Sequence, residues 1–214
     1  MDSKQAADLI TINTHSSIRV GGEKILYIDP FQIAEEKHDA DVIFFTHSHY
    51  DHFSPEDYRR ICKEDTLFVC PASMEKEALD DGIAKEHLTL VAPGDHTEIA
   101  GIPVEAVASY NPAKQFHPKE NAWVGYVITV EGVRLYICGD MDVTPEAKAV
   151  SCDILLAPIG GKYTMTAEEG AELANAIRPQ IAIPTHYGNI IGEKKDADTF
   201  EKLVDPSIEV IRKL

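Results

Sequence analysis

Cysteine is scarce: Cys62, Cys70, Cys138 and Cys152 are the only four in 214 residues, and no two form a Cys-x-x-Cys pair. This scatter nominates neither a thiolate zinc site nor a disulfide framework, and a chain this long can bury a full core without cross-links. Reduced thiols in a cytoplasmic protein are expected. Long apolar runs are also missing. The longest, such as Val42-Ile43-Phe44-Phe45, have strand length and fall far short of the ~18 residues of a membrane span. The segment Met1-Asp2-Ser3-Lys4-Gln5 lacks the basic-then-apolar order of a signal peptide. Basic charge is the third deficit, with 20 Lys and Arg against 36 Asp and Glu for a formal net charge of −16. A surface of that sign repels nucleic acid and anionic lipid, so neither is an expected partner. No Ser/Gly-rich linker or low-complexity tract divides the chain, so a single domain over residues 1–214 is expected.

What is present is a dense series of strand and turn signals. Alternation predicts a strand over Leu9–Asn13, and Gly21-Gly22 a turn into Ile25–Ile28. Val42–Phe45 reads as a strand buried on both faces, followed by a helix opening at Ser54-Pro55-Glu56-Asp57. Further strands are expected at Leu67–Cys70, Leu88–Val91, Ile102–Ala108, Ile154–Ala157, Ile181–Pro184 and Ile208–Ile211. Val124–Val130 and Val133–Cys138 form a hairpin across Glu131-Gly132. Helices are expected at Met74–Asp81, after Thr144, after the capping box Thr166–Glu169, and from about Asp196. The strands fall into two clusters with helices inserted among them. That order argues for an α/β (α+β) chain of two packed sheets with helices outside, not one doubly wound sheet. A faint echo joins the halves: Phe45-Thr46-His47 and Pro184-Thr185-His186 both run from a strand into Thr-His.

The chemistry concentrates in His47-Ser48-His49-Tyr50-Asp51-His52. Residues two apart in extended chain point the same way, so His47 and His49 can share one metal ion. Asp51 and His52 follow where the chain can turn, offering a carboxylate and another imidazole to a neighbouring ion. Asp140, after a strand and Gly139, and His186, after Ile181–Pro184, would each be an ordinary strand-end residue alone. Together with the histidine segment they make a two-metal set. Ser48 reads as a small spacer, and His38, His87 and His96 read as surface residues.

In order and context these features resemble the metallo-β-lactamase superfamily, over roughly Thr11 to Ile211. Thr14-His15-Ser16-Ser17-Ile18, Phe116-His117-Pro118-Lys119, Trp123-Val124-Gly125-Tyr126 and Pro158-Ile159-Gly160-Gly161 resemble the branch of L-ascorbate-6-phosphate lactonase and related bacterial metal-dependent hydrolases. The resemblance implies a four-layer αβ/βα sandwich of two mixed sheets flanked by helices. It implies that His47 and His49 bind a first ion, that Asp51, His52 and His186 bind a second, and that Asp140 bridges both. Members usually carry another first-ion histidine where this chain has Ser109-Tyr110-Asn111-Pro112, leaving Asn111, a weak ligand, or His117, six residues on, to complete the site.

The expected enzyme is a metal-dependent hydrolase that attacks a small lactone or ester, with an anionic substrate as one option, through a metal-bound hydroxide. Asp51, His52 and His117 are the catalytic candidates. Zn2+ is the first choice of cofactor, one ion or two, with Mn2+ and Fe2+ as alternatives. Lys114, Lys119, Lys162 and Tyr163 are candidates on the substrate side, joined by Asn111 and His15, while Tyr110 and Trp123 are candidate pocket walls. A small molecule is the expected partner, and a homo-oligomer is compatible with the sequence. Two alternatives stand beside this reading: a phosphodiesterase or nuclease, and a catalytically weak metal-binding protein with an incomplete first site.

Overall fold

The computed structural model describes residues 1–214. Two sheets face each other. The first contains β1 (Ile10–Thr14), β2 (Ser17–Val20), β3 (Leu26–Ile28), β4 (Ala40–Phe44), β5 (Cys62–Pro71) and β6 (Leu88–Val91), in that spatial order. The second runs β13 (Glu209–Val210), β12 (Ile181–Thr185), β11 (Ile154–Pro158), β10 (Val133–Ile137), β9 (Val124–Val130), β8 (Ile102–Ala108) and β7 (His96–Ile99). Both are mixed. The β1–β2–β3 meander is antiparallel and β3 to β6 are parallel, while β7 to β10 are antiparallel and β10 to β13 parallel.

The period-two pattern of buried strands explains the layering. In β4, Val42 and Phe44 enter the core between the sheets, while Ile43 and the following Phe45 enter a second core on the outer face. There they meet Tyr58 of α2 (Pro55–Arg59) and Ala78 of α3 (Glu75–Asp80). The second sheet does the same. Leu135, Ile137, Ile154 and Leu156 face inward, while Tyr136, Leu155 and Ala157 pack outward beside Ala147 of α4 (Pro145–Lys148), Leu173 of α5 (Ala167–Ile177) and Phe200 of α6 (Asp196–Leu203). Continuous apolar strands are thus covered on both faces; the two packed sheets with helices outside expected from the strand clustering, and the αβ/βα sandwich implied by the resemblance, are the observed architecture. No helix is long and apolar enough to cross a membrane.

Some local expectations shift. The first strand begins one residue later, after α1 (Ser3–Asp8), whose capping box uses Asp2 and Gln5. Ser54 precedes α2 without capping it; its hydroxyl donates to Asp57 Oδ2 at 2.6 Å instead. β5 starts at Cys62, well before Leu67, through an exposed polar stretch with no apolar alternation to reveal it. β7 is an edge strand whose His96 and Glu98 are exposed, and its pattern is equally unrevealing. The closing strand shortens to Glu209–Val210.

Gly125 sets how closely β9 can pass the end of its neighbour β10. A Cβ there would lie 2.5 Å from the Cys138 carbonyl oxygen and 2.6 Å from that of Ile137. Both are backbone atoms, so relief requires moving the strand end that carries Asp140. Gly125→Ala is therefore expected to cost ~2–3 kcal/mol by overpacking, lowering Tm by roughly 5–10 °C in a chain this size. A thermal melt within 1–2 °C of the parent would refute that constraint.

Candidate metal centre

Strand direction brings the candidate residues together. β1, β3 and β4 run the same way in one sheet, as do β8, β10, β11 and β12 in the other. Their C-terminal ends supply His15 after β1, Asp29 after β3, His47 to His52 after β4, His117 in the loop after β8, Asp140 after β10 and His186 after β12. At several ends the chain leaves the sheet through a left-handed residue: His15 at φ 55°, Asp29 at 48°, Gly139 at 66° and His186 at 58°. For the three non-glycine residues this conformation costs of order 1–3 kcal/mol each, borne by the surrounding packing. At Gly139 a side chain would also press within 3.1 Å of Thr46 and Ser109.

Two groups of ligand-type atoms result. His47, His49 and His117 form one, with His47 Nε2 and His49 Nδ1 3.0 Å apart. His15, Asp51, His52 and His186 form the other. Asp140 lies between them: Oδ1 is 3.3 Å from His52 Nε2, and Oδ2 is 3.0 Å from His186 Nε2 and 3.5 Å from His117 Nε2. His52 Nε2, His117 Nε2, His186 Nε2 and Asp140 Oδ1 are buried without hydrogen-bond partners. Such atoms are costly to leave unsatisfied, and four of them converging in one place fit a bound cation. The imidazole and carboxylate donors suit zinc and similar divalent ions.

A second set of contacts aims the rings. Asp29, buried, accepts from the Thr46 backbone N–H at 2.8 Å, from the Thr46 hydroxyl at 2.6 Å and from His52 Nδ1 at 2.7 Å. With its proton on Asp29, the Thr46 hydroxyl is free to accept from His47 Nδ1 at 3.0 Å. Asn111 Oδ1 accepts from His117 Nδ1 at 2.7 Å. In each of these histidines an outer partner occupies Nδ1 and leaves Nε2 turned toward the other candidate ligands, the arrangement in which outer partners orient metal ligands.

The charges follow from burial and neighbours. Burial pushes His47 well below its ordinary value, with His52 adding to the effect. It pushes His117 down to about 4 and also lowers His49, so all three are neutral donors near pH 7. Burial likewise opposes charge on His52, but Asp140 and Asp29 outweigh it and hold that imidazole well above its usual range. For Asp140, burial is outweighed by His186 and His52, which keep the carboxyl ionised.

The fate of the other candidates is mixed. His117 joins His47 and His49, whereas Asn111 is buried behind it and accepts from its Nδ1. His15 is fully buried, with Nε2 3.2 Å from Asp51 Oδ2, and groups with Asp51, His52 and His186. Lys114 is tied to Asp142 at 2.6 Å and to the carbonyls of Gly161 and Thr164 at 3.0 and 2.6 Å. Lys119 pairs with Glu146 at 2.8 Å. Tyr110 donates to that same Glu146, and the Trp123 ring packs 5.0 Å from both His47 and His49. Lys162 and Tyr163 stay near the cleft, the ammonium 4.9 Å from the ring centroid. His38, His87 and His96 lie outside the cluster. Sequence reading missed Asp29, although Ile28-Asp29-Pro30 repeats the signal of a polar residue directly after a buried strand.

Comparison with known proteins agrees with this geometry. The β-lactamase superfamily domain matches residues 9–186. A UPF0173 metal-dependent hydrolase of Thermoplasma acidophilum is 32% identical, with 88% of this chain and 87% of the relative covered. Another from Thermococcus onnurineus is 27% identical, with 92% of each covered. The solved structure of a Parabacteroides distasonis protein assigned as a metal-dependent hydrolase superposes with a TM-score of 0.82 at 29% identity, covering 96% of this chain and 92% of the other. The chain belongs to the β-lactamase superfamily domain family and, with these relatives, to its metal-dependent hydrolases.

Proposed function

We propose that this hydrolase opens a small lactone or ester, using Zn2+ held at the two groups around Asp140. The observation that carries this reading is the convergence of unpartnered, buried Nε2 atoms on one carboxylate. His47, His49 and His117 would hold one ion, and His15, Asp51, His52 and His186 supply the donors for a second. His117 at the first group argues against an incomplete site. When bound, the ions supply Lewis acidity that activates water near neutral pH and polarises a carbonyl oxygen.

The chain's own residues do the rest. Asp140 faces both groups and ties their positions together. Asp51 lies on the floor of a cleft of about 350 Å³ and orients the attacking water there, with His15 fixing its carboxylate from behind. No cysteine lines this cleft, and burial pushes the thiols up, Cys70 and Cys152 to about 12, so a thiolate nucleophile is unsupported. A cleft this small in a chain of net charge −16 favours a small molecule over nucleic acid. Membership of the lactonase-like branch rests on the segments around His15, His117, Trp123 and Gly160.

Chelation followed by dialysis is expected to abolish hydrolysis of a lactone and ester panel, and one or two equivalents of zinc to restore it. His49→Ala and Asp51→Ala are each expected to lose most bound metal by elemental analysis, with activity falling beyond the ~10–100-fold typical of an outer-sphere change. Full metal content in both variants sinks the assignment. Asp29→Asn keeps the shape of the carboxylate but gives His52 and Thr46 a weaker acceptor. It should weaken metal affinity ~10–100-fold with the circular dichroism spectrum unchanged; parent-like affinity removes Asp29 from the design.

A further inference from the structure

The cleft over the metal centre has a polar floor and an apolar wall. Its floor is His49, Asp51, His117 and Asp140, and its wall is Tyr50, Phe116, Tyr163 and Ile190. Tyr50 is 68% exposed and Phe116 and Ile190 are each 40% exposed, which places three of the molecule's seven exposed large apolar side chains around one opening. Exposed apolar groups scattered singly need no explanation, but a cluster on the rim of a catalytic cleft marks a ligand surface. Phe116 and Tyr163 meet edge to face with ring centroids 4.6 Å apart.

These rings are held in place. Asn111, the residue that aims His117, also donates from its amide to the Tyr163 carbonyl at 3.0 Å. Lys114 pins the same loop through Gly161 and Thr164. Its charge is answered by Asp142, so it is spent on structure. Lys162 is not among the cleft-lining residues and holds its ammonium over the Tyr163 ring, 4.9 Å from the centroid. A substrate arriving with a phosphate or carboxylate on its tail would find aromatic carbon where a binding site for that group needs fixed donors.

We propose that the specificity surface of this enzyme is the Phe116–Tyr163 wall, and that it takes an uncharged aromatic group flanking the scissile bond, not an anionic one. This rests on the metal-dependent hydrolase reading. The cleft, about 350 Å³, has room for roughly a dozen waters at ~30 Å³ each, enough for one ring beside the reacting group.

The test is calorimetric titration of zinc-loaded protein with three hydroxamates that share a metal-binding head: acetohydroxamate, phenylacetohydroxamate and succinic monohydroxamate. The phenyl tail is expected to bind about tenfold tighter than the methyl, and the carboxylate tail no tighter. In Phe116→Ala and in Tyr163→Ala the ratio of phenyl to methyl affinity should fall toward one, and Phe116→Tyr should keep it. Phe116 is partly exposed, so its truncation leaves the folded core untouched. Equal binding of all three probes, or preference for the carboxylate tail, by protein that holds zinc overturns this proposal alone. Failure to take up zinc together with absent binding of every probe overturns the hydrolase reading and this proposal with it.

Discussion

The carboxylate of Asp140 is 4% exposed and surrounded by imidazoles of His52, His117 and His186. An ionised group so buried is expensive unless it is paired, and each neighbouring ring in turn needs a fixed orientation to pair with it. Much of the surrounding structure answers that requirement. Gly139 lets the chain leave β10 in a left-handed turn, and Gly125 keeps the opposing strand close enough to support that turn. Asp29, Thr46 and Asn111 hold the rings by their far nitrogens.

Sheet topology makes this convergence economical. Strands that end on the same edge of two packed sheets deliver polar residues from distant points in sequence without a buried loop between them. The cores on either side of each sheet hold those strand ends rigidly, which is why three non-glycine residues can sit in left-handed conformations there. Loops carried on such a frame can place side chains for chemistry, and the variable part of the molecule is then the wall above them.

The segments that line the cleft serve two purposes at once. In His49-Tyr50-Asp51 and Phe116-His117, residues of the metal centre alternate with residues of the wall, so binding and chemistry share the same backbone. Asn111 joins the two by holding both His117 and Tyr163. The acidity of the chain takes on a narrower meaning here. Lys114 and Lys119 are matched by Asp142 and Glu146, and Lys162 lies over the Tyr163 ring, so a bound metal would be the main positive charge inside the cleft.

The local signals were readable because they depend on neighbours in sequence. Alternation gave away the core strands, Thr166–Glu169 the start of α5, and the spacing of His47, His49, Asp51 and His52 the nature of the site. Polar edges such as β7 and the start of β5 escaped notice because pairing, not hydrophobicity, defines them. The sequence by itself therefore determined the two-sheet class and the metal chemistry. Only the tertiary structure placed His117 beside His47 and His49 with Asn111 behind it, set His15 among Asp51, His52 and His186, revealed Asp29 and committed Lys114 to its own loop. Those outcomes depend on which strand ends meet in space, and that is fixed by packing between residues tens of positions apart, which no spacing along the chain encodes.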